Sequence, residues 1–571
     1  VGTKLSGRRQ ITGSFKERTT SVKQMIKCIS FLWQRSPFRF AAAITFTLLS
    51  GFSGIAMLAV ANIVLQGRPV SRTIVIWSFI GICLLLPLSR FTAEMFISRL
   101  AQSAVFELQM RLSRKIAAAP LRFLEDYGMH RLLAVMMQDV PVFGFALLTI
   151  PTTCLNLTIL AGGLIYMGWL SPFVLVTVLG FIVACLLVYR VPSSKAANSL
   201  HMARQATDDL YQHLRSLLGG AKELKLHQRR RRAFFSRVLD SSASSVRAHN
   251  VSGFTSAIAA AAWAQISGFV LIGALLLAVP LLKLQPQARI GYTMVLIFMM
   301  ATLQGLLTRD SDRDFKRAEI ALQTIEQLER ELTQQQADLG LLVQGDAKNE
   351  FKRLDLVNIT HTYHREGELH DFEVGPVTLS LLPGEVVFLV GGNGSGKTTL
   401  AKLLVGLYVP EQGQIYLNGQ TVTDSNREQY RQQFSAVFAD FHLFDRLLGL
   451  ETSQLDEQAR AYLTQLELED EVEIKDGTLS TTKLSQGQRK RLALLTAYME
   501  DRPVYVFDEW AADQDPSFKK TFYRTLLPEL KGKGKAVVVI SHDDRYYDLA
   551  DHIIRLDCGR IIELTSIAQT A

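Results

Sequence analysis

At 571 residues, 48% of them hydrophobic and 20% charged, the chain is too long for one core and too apolar for a simple soluble protein. Its formal charge of +9 is unevenly divided: residues 346–571 hold 25 Lys and Arg against 35 Asp and Glu, so the basic excess lies in the apolar part before them. That division argues against a nucleic-acid binder and predicts membrane spans with basic loops, followed by an acidic soluble domain.

The opening stretch of about 35 residues is polar and basic, without an apolar core and small-residue cleavage site, so no cleaved signal peptide is expected. Six stretches are then long enough to cross a bilayer: Phe40–Leu65, Ile74–Phe96, Val142–Met167, Pro172–Tyr189, Ser256–Leu282 and Ile290–Leu307. The intervals Ser98–Pro141 and Arg190–Thr255 are long and basic, whereas the connections on the other side are short. The positive-inside rule places the long intervals and both termini in the cytoplasm. Apolar residues at spacings of three and four in Asp208–Leu226 predict helices that continue past the bilayer. The basic run Arg229 to Arg232 reads as their solvated face. Cysteines at 28, 83, 154, 185 and 558 show no metal-type spacing, and three of them sit in apolar stretches, so no disulfide framework is implied.

Within the spans, Asn62, Asn156, Gln265 and Gln304 are polar positions that could face a cavity or serve as hydrogen-bonding glue between helices, the second being the commoner use. Arg90 and Glu94, four apart, suit an intrahelical pair at the inner interface. The organisation expected is a cytoplasmic segment (1–38), a six-helix transmembrane domain (39–310), a linker helix (311–344) and a nucleotide-binding domain (345–571).

The soluble part carries the chemistry. The apolar run Val386 to Val390 predicts a buried strand and Leu400 onward a helix. Between them stand Gly391, Gly392, Asn393, Gly394, Ser395, Gly396, Lys397, Thr398 and Thr399, the phosphate-cradling loop pattern in its strand–loop–helix setting. The glycines let backbone N–H groups point at phosphate oxygens, with the helix N-terminus behind them. Lys397 suits the β- and γ-phosphates and Thr398 suits Mg²⁺. ATP is therefore the expected energy source. Leu484-Ser485-Gln486-Gly487-Gln488 opens a second predicted helix, whose Ser485 and N–H groups could form another phosphate cradle. The strand Val504 to Phe507 ends in Asp508, suited to Mg²⁺, and Glu509, suited to polarising the attacking water. The strand Ala536–Ile540 leads to Ser541-His542, with His542 suited to a γ-phosphate contact.

Taken together, these motifs resemble the ATP-binding cassette (ABC) superfamily, and six spans fused N-terminal to one cassette resemble an exporter-type half-transporter. The fold class implied is an α-helical six-span transmembrane domain fused to an α/β P-loop cassette. The resemblance implies a homodimer holding two ATP between one protomer's P-loop and the other's Ser485, Gly487 and Gln488. It implies Tyr363 as the aromatic that stacks on adenine, and Ala512 to Asp515 as the loop contacting the opposite site. It also implies Ala119–Leu133 and Leu214–Leu226 as coupling segments. Three departures stand out. Ala439 occupies the position of the usual Gln-loop glutamine, leaving its contacts to Asp440, His442 or solvent. Gln486 replaces a glycine, and Trp510 follows Glu509 in a run ending Ala-Ala-Asp-Gln-Asp-Pro516. With these departures the set resembles bacterial exporters of cyclic peptides and siderophores, implying lipopeptide, siderophore or microcin cargo. The implied location is the bacterial inner membrane, among membrane lipids, with a periplasmic or outer-membrane partner in a Gram-negative host. A lipid or hydrophobic-drug exporter, and a membrane ATPase that senses without transporting, are the alternatives.

Overall fold

The computed structural model describes residues 33, 36–65, 71–278, 295–297, 299, 302, 311–335, 350–363, 372–450 and 455–566. The chain divides into two compact units, the first formed by Val1–Leu112 with Leu133–Leu328, the second by Ser113–Leu132 with Glu329–Ala571.

Among the described residues, five helices are long and apolar enough to span a membrane: α1 (Pro37–Leu65), α2 (Arg72–Ala118), α4 (Met129–Leu170), α5 (Pro172–Gly219) and α7 (Gln228–Ala274). The short α3 (Leu121–Tyr127) and α6 (Ala221–Leu226) lie between them. The sixth expected span, Ile290–Leu307, and Gln304 with it, fall largely outside the described residues. Helix α2 has 47 residues. At a rise of about 1.5 Å per residue such a helix runs about 70 Å, more than twice a hydrocarbon core of about 30 Å. Helix α2 is therefore longer than crossing a hydrocarbon core requires.

Glycines permit the close packing of α1 against α4. A Cβ on Gly162 would lie 2.1 Å from Ile55 Cδ1, and one on Gly51 2.7 Å from Thr158 Cγ2. This small-residue contact suits helices in lipid, where packing and hydrogen bonds drive association. Asn62 is buried there and donates to the Tyr166 hydroxyl at 3.0 Å, the interhelical use. Arg90 and Glu94 form their i,i+4 pair at 2.9 Å. Asn156 is half-buried and Gln265 exposed. Helix α8 (Ser311–Gln335) buries Ala318, Ala321, Leu322, Ile325, Leu328 and Leu332 along one stripe, which is why a polar sequence holds a helix there.

The second unit is built on two sheets. Strands β1 (Leu354–Tyr363), β2 (Phe372–Leu381), β4 (Gln412–Leu417) and β5 (Gln420–Thr421) form an antiparallel sheet in the order β2-β1-β4-β5. Strands β3 (Val386–Gly391), β6 (Phe434–Val437), β9 (Val504–Asp508), β10 (Ala536–Ile540), β11 (His552–Asp557) and β12 (Arg560–Ser566) form the larger sheet, ordered β12-β11-β3-β10-β9-β6. All its pairings are parallel except β11 with β12. A hairpin of β7 (Ile474–Lys475) and β8 (Thr478–Leu479) lies apart. The continuous apolar runs of β3 and β9 follow from burial on both faces. Val386, Phe388 and Val390 point into one core with Tyr505 and Phe507, while Val387 and Leu389 point into the other with Val504 and Val506. Parallel β3, β10 and β9 end together, so the loops after them converge on one edge.

Candidate nucleotide site

The loop leaving β3 turns at once into α9 (Lys397–Leu404), whose residues Leu400, Ala401, Leu403 and Leu404 bury against the sheet. Gly391 has φ +149°, and a Cβ on it would stand 2.2 Å from the Leu556 carbonyl oxygen of β11, so the turn requires glycine. Gly396, the residue before α9, is left-handed at φ +99°. Gly394 to Thr399 and Asn393 line a cavity of about 640 Å³ together with Tyr363, Phe372, Lys402 and Glu509. The predicted base-stacking, phosphate-binding and hydrolytic residues therefore meet in one place.

Lys397 is buried and donates from Nζ to the carbonyls of Gly391 and Gly392 at 3.0 and 2.8 Å. Burial lowers its pKa, opposed by the nearby carboxylates of Glu509 and Asp508. Thr398 donates its hydroxyl to Asp508 Oδ2 at 3.0 Å. Asp508 is 1% exposed, and burial raises its pKa, offset in part by the Thr398 hydroxyl and the Ala439 N–H. Among the described residues its Oδ1 is buried without a hydrogen bond of normal geometry. A buried carboxylate oxygen left over beside a threonine hydroxyl fits Mg²⁺, which takes one or two carboxylates and completes its shell with phosphate oxygens and water. No cluster of three or more His, Cys, Asp and Glu among the described residues forms a metal cage by itself.

Glu509 holds a left-handed backbone at φ +48° and donates its N–H to Ile540 O at 3.1 Å, bridging the ends of β9 and β10. Its Oε1 lies 3.2 Å from His542 Nε2. The neighbouring Ser541 is fixed by the Tyr523 hydroxyl at 2.8 Å and accepts from the Asp543 N–H at 3.1 Å. Asp440 adds its charge near Asp508, while His442 packs edge-on to Phe444 at 5.0 Å. Trp510 is 1% exposed, 4.4 Å from the Phe522 ring centre, which accounts for an indole directly after Glu509.

Ser485, Gly487 and Gln488 stand outside the cavity's lining. They start α10 (Gln486–Glu500) with a capping box: Gln488 N–H donates to Ser485 Oγ at 3.3 Å, and Ser485 N–H to Gln488 Oε1 at 3.0 Å.

Tyr408, Lys402 and Glu411 join the site's surroundings without belonging to any motif, and Arg122 and Glu125 join them from within the expected coupling segment Ala119–Leu133. Tyr363 shares a hydrogen bond of 2.6 Å with the Tyr408 hydroxyl, which donates in turn to Glu125 of α3. Burial, then Glu125 and Tyr363, push the Tyr408 phenol far up. Lys402 donates to Glu125 at 2.8 Å. Burial opposes its charge, but Glu125 outweighs burial and holds its pKa above the ordinary lysine value. Arg122, also on α3, meets Glu411 at 3.0 Å and the Thr362 carbonyl at 3.1 Å. Leu121 packs against the apolar core between the sheets. Segment Ser113–Leu132 is thus integrated into the nucleotide-binding unit.

Comparison with known proteins shows the family. Residues 374–512 match the family model described as ABC transporter, and residues 40–307 match the ABC transporter transmembrane region. The chain is 36% identical over 531 residues to the ATP-binding protein SyrD of Pseudomonas syringae pv. syringae, covering 90% of this chain and 93% of that one. It is 25% identical over 515 residues to the ATP-dependent lipid A-core flippase of Ralstonia nicotianae, covering 85% and 83%. A solved bacterial Atm1-family ABC exporter with ATP bound shares the fold, with a TM-score of 0.67 and 17% identity, over 93% of this chain and 96% of that one. The chain belongs to the ABC transporter family: a multi-pass membrane protein that joins a helical transmembrane region to an α/β ATPase cassette and couples ATP turnover to transport.

Proposed function

We propose that the chain exports cyclic or modified peptides, of lipopeptide, peptide-siderophore or microcin type, as a homodimer in the bacterial inner membrane with both termini cytoplasmic. The observation that carries the cargo reading is the co-occurrence of Ala439, Leu484-Ser-Gln-Gly-Gln-Arg-Lys-Arg491 and Asp508-Glu-Trp-Ala-Ala-Asp-Gln-Asp-Pro516, the set that resembles exporters of such peptides.

In this reading Tyr363 stacks on adenine, the N–H groups of the loop hold the phosphates, and Lys397 turns from the loop carbonyls to the β- and γ-phosphates. Thr398 and Asp508 hold Mg²⁺, which when bound neutralises phosphate charge. Glu509 orients and deprotonates the attacking water. His542, 3.2 Å from it, contacts the γ-phosphate and keeps the carboxylate aimed. Ser485, Gly487 and Gln488 close on the nucleotide of the second protomer. ATP binding favours the closed cassettes and an outward-facing cavity, and hydrolysis resets them.

The test is ATP-dependent uptake of a cyclic lipopeptide or peptide siderophore into inside-out vesicles, wild type against Glu509→Gln. The wild type takes up peptide. The variant retains ATP and loses turnover by a factor of about 100 or more, the scale of a general base, and uptake stops with it. Intact ATPase without peptide uptake overturns the cargo assignment. A second reading, lipid export, is favoured by the similarity to proteins named lipid A-core flippases. Stimulation of the ATPase by lipid and not by peptide selects it.

A further inference from the structure

The departures in the signature and in the run after Glu509 are bonded to one another. Gln486, standing where a glycine is usual, donates from Nε2 to Asp513 Oδ2 at 3.0 Å. Lys490, one turn along α10, reaches the same oxygen at 2.7 Å. The same ammonium donates to the backbone carbonyl of Glu509 at 2.8 Å. Trp510 answers from the other side, its Nε1 donating to the Lys490 carbonyl at 2.7 Å. Gln514 Nε2 closes the set on the Gly487 carbonyl at 3.0 Å.

The lysine is the centre of this arrangement. It is 3% exposed, so its charge cannot be solvated and stays where its two acceptors are. Both acceptors belong to the turn Glu509–Asp513. Glu509 itself has a left-handed backbone that a non-glycine residue keeps only when its surroundings impose it. The ammonium on the Glu509 carbonyl, together with the Trp510 indole N–H on the Lys490 carbonyl, pins the Glu509–Trp510 peptide and hence the direction in which the carboxylate leaves the chain.

We propose that Lys490 is a positioning residue for Glu509, through which α10 sets the aim of the hydrolytic carboxylate. The proposal rests on the roles given above to Glu509 and to the start of α10. With them, the helix end that closes on the second protomer's nucleotide is hard-wired to the carboxylate acting in its own site.

The experiment compares Lys490→Met and Lys490→Arg in the full chain, reconstituted in liposomes. In Lys490→Met, kcat falls 10-fold or more, KM for ATP stays within twofold, and labelled ATP is retained unhydrolysed, as in Glu509→Gln. Arginine, which keeps the positive charge and N–H donors, restores most of kcat. Asp513→Asn, at a partly exposed carboxylate, gives the same pattern at smaller size and decides the matter if Lys490→Met does not fold. An unchanged kcat overturns the proposal. So does a fall in kcat accompanied by raised KM, lost ATP retention and no arginine rescue, which marks a purely structural lysine. Absence of ATP retention in Glu509→Gln itself overturns the reading of the site instead.

Discussion

Tyr408→Phe removes one oxygen and leaves the ring stacked 5.0 Å from His361 and buried in the core. That oxygen links the Tyr363 hydroxyl, 2.6 Å away, to Glu125. A hydrogen bond to a charged group contributes about 1.5–3 kcal/mol net. Part of this returns, because Glu125 keeps Lys402 at 2.8 Å and Tyr363 lines an open cavity where water can bond its hydroxyl. About 1 kcal/mol then remains against holding Tyr363 in the position proposed for stacking on adenine, which is about a fivefold change in affinity. Steady-state ATPase of the reconstituted full chain should show KM for ATP raised about three- to tenfold, with kcat within twofold. Tyr363→Phe should raise KM similarly, and the double variant should add little to either, since both cut the same chain of bonds. An unchanged KM in Tyr408→Phe, or full additivity, refutes the reasoning.

Two further outcomes are expected. Gly391→Ala places a methyl 2.2 Å from a backbone oxygen that cannot swing away, at a φ of +149°; binding of a fluorescent ATP analogue should fall more than about tenfold, a cost of over 1.4 kcal/mol, and undiminished binding refutes it. Burial raises the Asp508 pKa above the ordinary 3.8, so the folded chain holds this proton more tightly than the unfolded one. Its contribution to stability is therefore largest in acid and declines as pH rises through the raised value. The ATPase should lose activity in acid at a higher pH than an ordinary aspartate would set, and more Mg²⁺ should move that limb downward. A limb indifferent to Mg²⁺ refutes the assignment.

The nucleotide site was readable because each motif is short and local. Gly391 to Thr398 announce a loop by glycine spacing, and the apolar runs of β3, β9 and β10 announce strands buried on both faces. The bonds that tie these motifs together were not readable. Lys490 and Asp513 lie 23 positions apart and meet only because α10 packs beside the turn after β9. Tyr408 and Glu125 lie 283 positions apart, and although Glu125 falls in the expected coupling segment, nothing in the sequence pairs it with Tyr408. The departures at Gln486 and Trp510 were visible as isolated substitutions, and only the fold revealed that both touch the Lys490–Asp513 pair. Ala439 shows the converse case: its side chain is gone from the usual contact, but its backbone N–H still favours the Asp508 carboxylate.

The inclusion of Ser113–Leu132 in the nucleotide-binding unit bears on how this protein can be divided. A cut in the polypeptide near residue 345 separates two sequence regions but tears one packed body. It strips Leu121 from the core and leaves Glu125 and Arg122 without Lys402, Tyr408 and Glu411. A cassette produced alone would lose these contacts. Chimeras that exchange cassettes between relatives should therefore transplant 113–132 along with 329–571, treating the two stretches as one inheritable part.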